Sequence, residues 1–332
     1  MDGGRLEALL AETISIAMAS GAVSERQLER VTVDTTVQTK AVAHPTDSHL
    51  MLRAIEWLNR AAGAHGVRLR QSYLRVARRA RKEAARLMHG RGHKQARAHL
   101  RFMRTRLGRL IRDIERKIAG DPARMEALAT VLERARTIHR QKPGDTQKLY
   151  AFHAPEVECI GKGKACTRYE FGVKASLATT NERCRGGQFV LGAMSLPGNP
   201  YDGHTLGDQL DQVARVTGKK PARAYVDRGY RGHGVNREGL EVHVSHTRGI
   251  ASPTIRRELR RRNAIEPVIG HMKQDGHLER NALKGAEGDV INVLLCAIGH
   301  NLRLLLAWFR TLLLLILAAI LLPSSAGHMR AA

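Results

Sequence analysis

Aromatic residues are scarce, at 4% of the 332-residue chain, which argues against an extended stacking platform for single-stranded nucleic acid. Cysteines are few: Cys159, Cys166, Cys184 and Cys296 form no C-x-x-C pair and have no histidine pair at zinc-finger spacing. They read as structural thiols of a reduced, cytosolic chain. The first residues lack the basic-then-apolar pattern of a secretion signal. Negative charge is in short supply too, with 31 Asp and Glu against 55 Lys and Arg, a formal net charge of +24. A surplus of that size calls for a polyanion or an acidic lipid surface, and nucleic acid is the commonest polyanion. Against these shortages, 43% hydrophobic residues suffice for a packed core and exclude wholesale disorder. The length allows two domains, or one domain carrying a large insertion.

The longest apolar stretch lies at the end. Leu302 to Leu322 approaches membrane-spanning length, but Arg303 and Arg310 interrupt it, and the unbroken run from Thr311 is short for a bilayer. The expectation is a terminal helix that is buried or packs on a partner, with membrane contact as the alternative.

Along the chain, Leu6 to Leu28 reads as a helix and a capped turn. RVTVDTTVQTK follows, with Val31, Val33 and Val37 on alternate positions, a strand whose other face carries Asp34. From Asp47 to about Thr137 the pattern is helical. Leu100, Met103, Leu107, Leu110 and Ile114 mark one apolar stripe. The rest of that surface is basic: between Gly66 and Ile118 eighteen Lys and Arg, Arg78, Arg79, Arg101 and Arg104 among them, face only Glu83, Asp113 and Glu115. Guanidinium groups pair bidentately with phosphate oxygens, so this density reads as a phosphate-tracking surface; the alternative is a solvated helical hairpin.

After the linker QKPGD the period changes. Tyr169–Ala178, Gln188–Leu196, Ala222–Val226 and Leu240–Val244 read as strands, and Asp202–Thr217 as a helix. A further helix starts at Ser252-Pro253 and runs toward Asp275, and a final helix pair begins at Asp289. The order is that of a mixed α/β sheet interrupted after its first strand. His89 and His93 are spaced for one helix face, but Gly90 and Gly92 weaken that helix, so they read as solvent or phosphate contacts rather than zinc ligands.

Phosphodiester cleavage requires charge to be neutralised on the attacking and leaving oxygens, which two divalent ions about 4 Å apart accomplish when carboxylates hold them. Asp34 lies in the first strand, Asp227 follows a short apolar strand, and Glu266 lies in a helical stretch behind five arginines. Any one alone reads as a surface charge; the three together suggest a metal-binding set.

The segments VTVDTTVQTKAVAHPTDS, AYVDRGYRG and RRRNAIEPVIGHMK resemble the three catalytic blocks of bacterial insertion-sequence DDE transposases of the insertion-sequence five group. HAPEVECIGKGKA and GDVINVLLCAIGHNLR resemble the same group, so the likeness runs from about Val31 to about Trp308. The group's Tyr-x2-Arg-x3-Glu-x6-Lys signature is matched by Arg262, Glu266 and Lys273, while Leu259 stands where the tyrosine belongs. The resemblance implies a ribonuclease H-like core in which Asp34, Asp227 and Glu266 are catalytic and hold Mg²⁺, with Mn²⁺ as substitute. It implies that Arg262 and Lys273 grip the DNA backbone near the scissile phosphate and that Arg228 also binds DNA. The implied partners are double-stranded DNA, both terminal inverted repeats and target, and further copies of the chain; a membrane is not expected. It also implies a cytoplasmic, nucleoid-associated protein.

On this reading residues 1–30 are a helical remnant, 31–44 the first catalytic strand and 45–145 the basic helical insertion. Residues 146–308 are the rest of the core, and 309–332 an apolar tail. Two features stand against a simple reading. Pro267 follows Glu266 and biases it away from helical geometry, and only about thirty residues precede Asp34. The rival functions are a truncated, inactive DNA-binding remnant and a membrane-associated basic protein.

Overall fold

The chain opens on α1 (Gly3–Ala19), whose Leu6, Leu10, Ile14 and Ala17 recur at steps of three and four and are all buried. A short helix, α2 (Glu25–Leu28), begins at Ser24 with a reciprocal capping box through Gln27. It leads into β1 (Arg30–Thr39). The computed structural model describes residues 3–90, 92–161, 168–247 and 252–321. Cys166 and Leu322, named above, lie outside them, as does Arg91, one of the eighteen basic residues counted there.

Four helices follow: α3 (Asp47–Ala64), α4 (Leu74–His89), α5 (His93–Ile118) and α6 (Pro122–Arg140). Then come β2 (Glu158–Gly161), β3 (Tyr169–Thr180), β4 (Val190–Leu196), α7 (Asp202–Thr217), β5 (Arg223–Val226) and β6 (Glu241–Val244). The described chain closes with α8 (Pro253–Arg261), α9 (Ile265–Gln274) and α10 (Gly285–Leu321).

The chain divides into two compact units. One comprises Met1–Ala41 and Ile160–Ala332, the other Val42–Cys159. In the first, the sheet runs β2-β3-β1-β5-β6, with β4 on β3. β1 pairs antiparallel with β3 and parallel with β5, so the sheet is mixed. It is covered on both faces. Val31, Val33 and Val37 are buried, but so are Thr32, Thr36 and Gln38, which corrects the simple inside–outside alternation expected for β1. A central strand has neighbours above and below as well as at its sides.

The second unit has its own core. Met51, Ile55 and Leu58 of α3 pack with Met103, Leu107, Leu110 and Ile114 of α5 and with Leu132 of α6, as the apolar stripe predicts. His89 and His93 do not share a helix: Gly90 ends α4 and Gly92 caps α5 between them.

Four other expectations are corrected. β2 is an additional short strand. The helix from Ser252 breaks at a turn of 3-10 helix, Arg262–Ala264, and restarts at Ile265 with Pro267 in its first turn, where proline costs no hydrogen bond. The final helix pair is a single 37-residue helix, α10. The first half of α10 is built into the core. Asn301 is fully buried, accepting from the Val190 N–H at 2.9 Å and donating to the Val190 carbonyl at 2.9 Å, so it occupies the edge of β4 as a partner strand would. Beyond Trp308, whose indole N–H donates to the Ser20 carbonyl at 3.1 Å, the helix leaves the core: Leu314 and Ile320 are 67% and 71% exposed, so of the alternatives expected for the tail, burial does not hold.

Candidate functional site

β1 and β5 are parallel neighbours, paired up to Thr32 and Tyr225. Two residues further along each strand stand Asp34 and Asp227, so both carboxylates leave the same side of the sheet at the same level. Asp227 lies just past β5, where Asp-Arg-Gly-Tyr cannot continue the apolar strand, and its Oδ1 accepts the Gly229 N–H at 2.8 Å. Asp34 Oδ1 accepts the Thr35 N–H at 2.8 Å.

A third carboxylate, not singled out by sequence, joins them. Asp202 opens α7, and its Oδ1 accepts from Thr35 Oγ1 at 3.2 Å and from Lys174 Nζ at 3.0 Å. A Cβ at Gly229 would stand 3.0 Å from Asp227 Oδ1 and 3.2 Å from Asp202 Oδ2, so glycine keeps the space beside both carboxylates open. Tyr230 is fully buried next to them. Burial first, then the charges of Asp34, Asp202 and Asp227, pushes its phenol well above the usual range, while the Ser176 hydroxyl pulls the other way. In sequence Asp202 reads as an ordinary first-turn acid favouring the helix dipole. The signal that could have found it is the GNPYD turn, where Lys174 also donates to the Pro200 carbonyl at 2.6 Å.

α8 is fastened to β1 and β5 and thereby fixes the turn that follows it. Glu258 is buried against Arg30 at 3.1 Å and Arg223 at 3.4 Å, and the Tyr225 hydroxyl donates to it. Asn181 donates to Thr32 Oγ1 at 2.9 Å and to the Glu258 carbonyl at 3.1 Å. Arg262 emerges from this anchor with Nη1 3.5 Å from Asp34 Oδ2. Its Nε has no hydrogen-bond partner among the described residues.

Glu266 lies one helical turn beyond Arg262 in the first turn of α9 and is exposed. Asp34, Asp202 and Asp227 thus surround Tyr230, while Glu266 stays at the surface. Among the described residues, no three His, Cys, Asp or Glu side chains are gathered closely enough to share a metal ion. Lys273 lies 3.6 Å from Glu170, and Arg228 is exposed. Leu259, in the tyrosine position of the signature, is half-buried; the tyrosine that meets the carboxylates is Tyr230.

In the second unit Arg78 pairs with Glu56 at 3.3 Å, and Arg104 donates to the Gln141 carbonyl at 3.3 Å. Arg79 and Arg101 are exposed. Burial pushes the Cys184 and Cys296 thiols up to about 11 and 12, so both stay protonated and unreactive.

The chain belongs to the DDE transposases: residues 135–302, half of its length, match the transposase DDE domain family. Asp227 and Glu266 lie inside the match, and Asp34 precedes it. The uncharacterized protein ORF8 in the nfe locus of Rhizobium meliloti is 52% identical over 86 residues. That segment is 26% of this chain and 42% of the relative's length. No solved structure gives a significant match.

Proposed function

We propose that the chain is a bacterial insertion-sequence transposase of the insertion-sequence five group. In this reading it cuts DNA at the terminal inverted repeats and joins the freed end to target DNA. The carrying observation is the side-by-side placement of Asp34, within β1, and Asp227, just past the end of the parallel β5, with Arg262 against Asp34. The mixed sheet, left by the chain after its first central strand, supports a ribonuclease H-like core with a helical insertion.

The donor chemistry, carboxylate oxygens beside the opening at Gly229, suits a hard divalent cation, Mg²⁺ or Mn²⁺; Asp34, Asp227 and Glu266 would hold it, with Asp202 beside them, once Glu266 moves in from the surface. When bound, such an ion supplies Lewis acidity at the scissile phosphate and acidifies a water ligand. The protein's own groups do the rest. Arg262 and Lys273 hold the strand's phosphates, and Arg228 contacts the backbone on the exposed turn. In cleavage, a water oxygen bonds to phosphorus as the bond to the 3′ oxygen breaks, and that oxygen leaves as a hydroxyl. In joining, the same 3′-hydroxyl attacks a target phosphodiester in line and displaces its 3′ oxygen. The arginines of α4 and α5, Arg79 and Arg101 in particular, add sequence-independent DNA affinity, and the active form is a homo-oligomer on DNA in the bacterial cytoplasm.

The test is Mg²⁺-dependent cleavage of a labelled duplex carrying the flanking inverted repeat, with wild type beside Asp227→Ala. Cutting at the repeat end by wild type alone supports the enzyme. A second reading, a DNA-binding remnant without catalysis, is favoured by the exposed position of Glu266. It predicts binding by both proteins and cutting by neither.

A further inference from the structure

Residues 66–73 join α3 to α4 and cross α5, and three side chains fasten that crossing. Asp113 of α5 accepts the Arg70 backbone N–H at 3.0 Å. Lys117 donates to the Arg68 carbonyl at 2.6 Å, and Asn59 to the Ser72 carbonyl at 2.9 Å. Tyr73 then enters α4 with φ of 55°, a left-handed conformation that a tyrosine holds only when its surroundings fix it. The segment is therefore a rigid wall.

Between this wall and α5 lies a cavity of about 480 Å³ lined by Arg70, Gln71, Tyr73, Arg109, Arg112 and Arg116. Asp113 is the acid at this cavity, and its charge is already committed. Burial opposes its ionisation, but the Arg70 N–H together with Lys117 and Arg116 outweighs this and holds the carboxyl at about 2. It bonds Arg116 at 2.9 Å and Lys117 at 2.8 Å. Arg70, Arg109 and Arg112 form no ion pair among the described residues. Three uncompensated guanidinium groups on one preorganised surface repel one another until an anion enters, and their planar forks match phosphate oxygens.

The row also extends. Arg97 and Arg101 lie four residues apart on the same exposed face of α5, one turn beyond Thr105, which separates them from Arg109. From Arg101 to Arg116 the helix covers about 22 Å at 1.5 Å per residue. One free phosphate would engage only one end of such a row. A duplex presents a phosphate on each strand about every 3.4 Å of its axis, and so can engage its length.

We propose that this cavity and the arginine row leading to it seat the phosphodiester backbone of duplex DNA without regard to sequence. The proposal rests on reading the chain as a DNA-acting protein. It moves the principal contact of the helical unit from Arg78 and Arg104, which are already bonded within the protein, to Arg70, Arg109 and Arg112.

The test uses the full chain and a random-sequence duplex, with binding measured by fluorescence anisotropy across a series of salt concentrations. Arg109→Ala/Arg112→Ala is expected to bind on the order of tenfold more weakly at low salt. Its slope of log affinity against log salt should be shallower by about 1.8, as loss of two phosphate contacts requires. Arg109→Lys/Arg112→Lys should restore the slope but only part of the affinity, because the bidentate forks are lost. Circular dichroism confirms that each variant is folded; if the alanine variant is not, Arg109→Gln/Arg112→Gln takes its place. A folded variant with wild-type affinity and slope overturns the proposal while leaving the transposase reading intact. Failure of wild type to bind any duplex overturns both. An unchanged slope together with loss of thermal stabilisation by inorganic phosphate would mark a free-phosphate site and also overturn it.

Discussion

Lys40 Nζ lies 2.7 Å from Asp289 Oδ1, with both side chains almost completely buried. The pair links the residue just after β1 to the first turns of α10, two segments far apart in sequence. Lys40 also donates to the Leu283 carbonyl at 2.7 Å, and Asn281 donates to Asp289 Oδ1 at 2.6 Å. Removing one partner leaves the other charge buried and uncompensated. Lys40→Ala is therefore expected to cost about 3–5 kcal/mol in chemical denaturation. Lys40→Met/Asp289→Leu, which removes both charges, should recover most of that. Equal losses in the single and double variants would show that the pair's charge is not what matters.

Asp202 is expected to tune the carboxylate cluster without holding up the fold. Asp202→Asn keeps an oxygen for Lys174 and Thr35, so the melting temperature should stay close to wild type. Mn²⁺ affinity, read by electron paramagnetic resonance, should fall by about 10- to 100-fold, the range for groups that support metal ligands. Unchanged Mn²⁺ affinity would remove Asp202 from the site.

Asp113 makes the helical unit sensitive to acid. Its carboxyl is held at about 2, below the ordinary aspartate value. A depressed folded value means that ionised Asp113 contributes stability above about pH 4, and that this contribution is lost as pH falls toward about 2. Asp113→Asn should therefore melt below wild type at neutral pH, with the gap closing across that window. A gap independent of pH would contradict this assignment.

The exposed end of α10 should add little to folding. Deleting everything after Phe309 removes Leu313–Leu317 and Ile320, which are exposed, and should change stability by no more than about 0.5 kcal/mol. It should also reduce self-association measured by light scattering, because a contiguous apolar surface goes with it. A marked fall in melting temperature would mean that the segment packs on the core.

The elements were legible wherever a single periodicity dominated. Val31, Val33 and Val37 marked β1, the steps of three and four in α5 marked its buried stripe, and Asp202–Thr217 is helical as read. β2 escaped because four residues carry too little pattern to register. The merging of the last helices escaped because residues from Asp289 onward showed helix without showing that nothing breaks it.

The sequence by itself determined the chain's basic character, most of its elements and the block motifs that mark a DDE transposase, because periodicity, charge and short motifs are local properties. Only the tertiary structure decided which charges meet. Asp202, from the start of a helix, joins Asp34 and Asp227 around Tyr230, and Arg262 turns onto Asp34 while Glu266 stays exposed. Lys40 finds Asp289 across almost 250 residues of chain. Such pairings depend on strand order and on the packing of α7, α8 and α10 against the sheet, which no stretch of sequence carries alone, and burial then raises their strength by removing the water that would otherwise screen them.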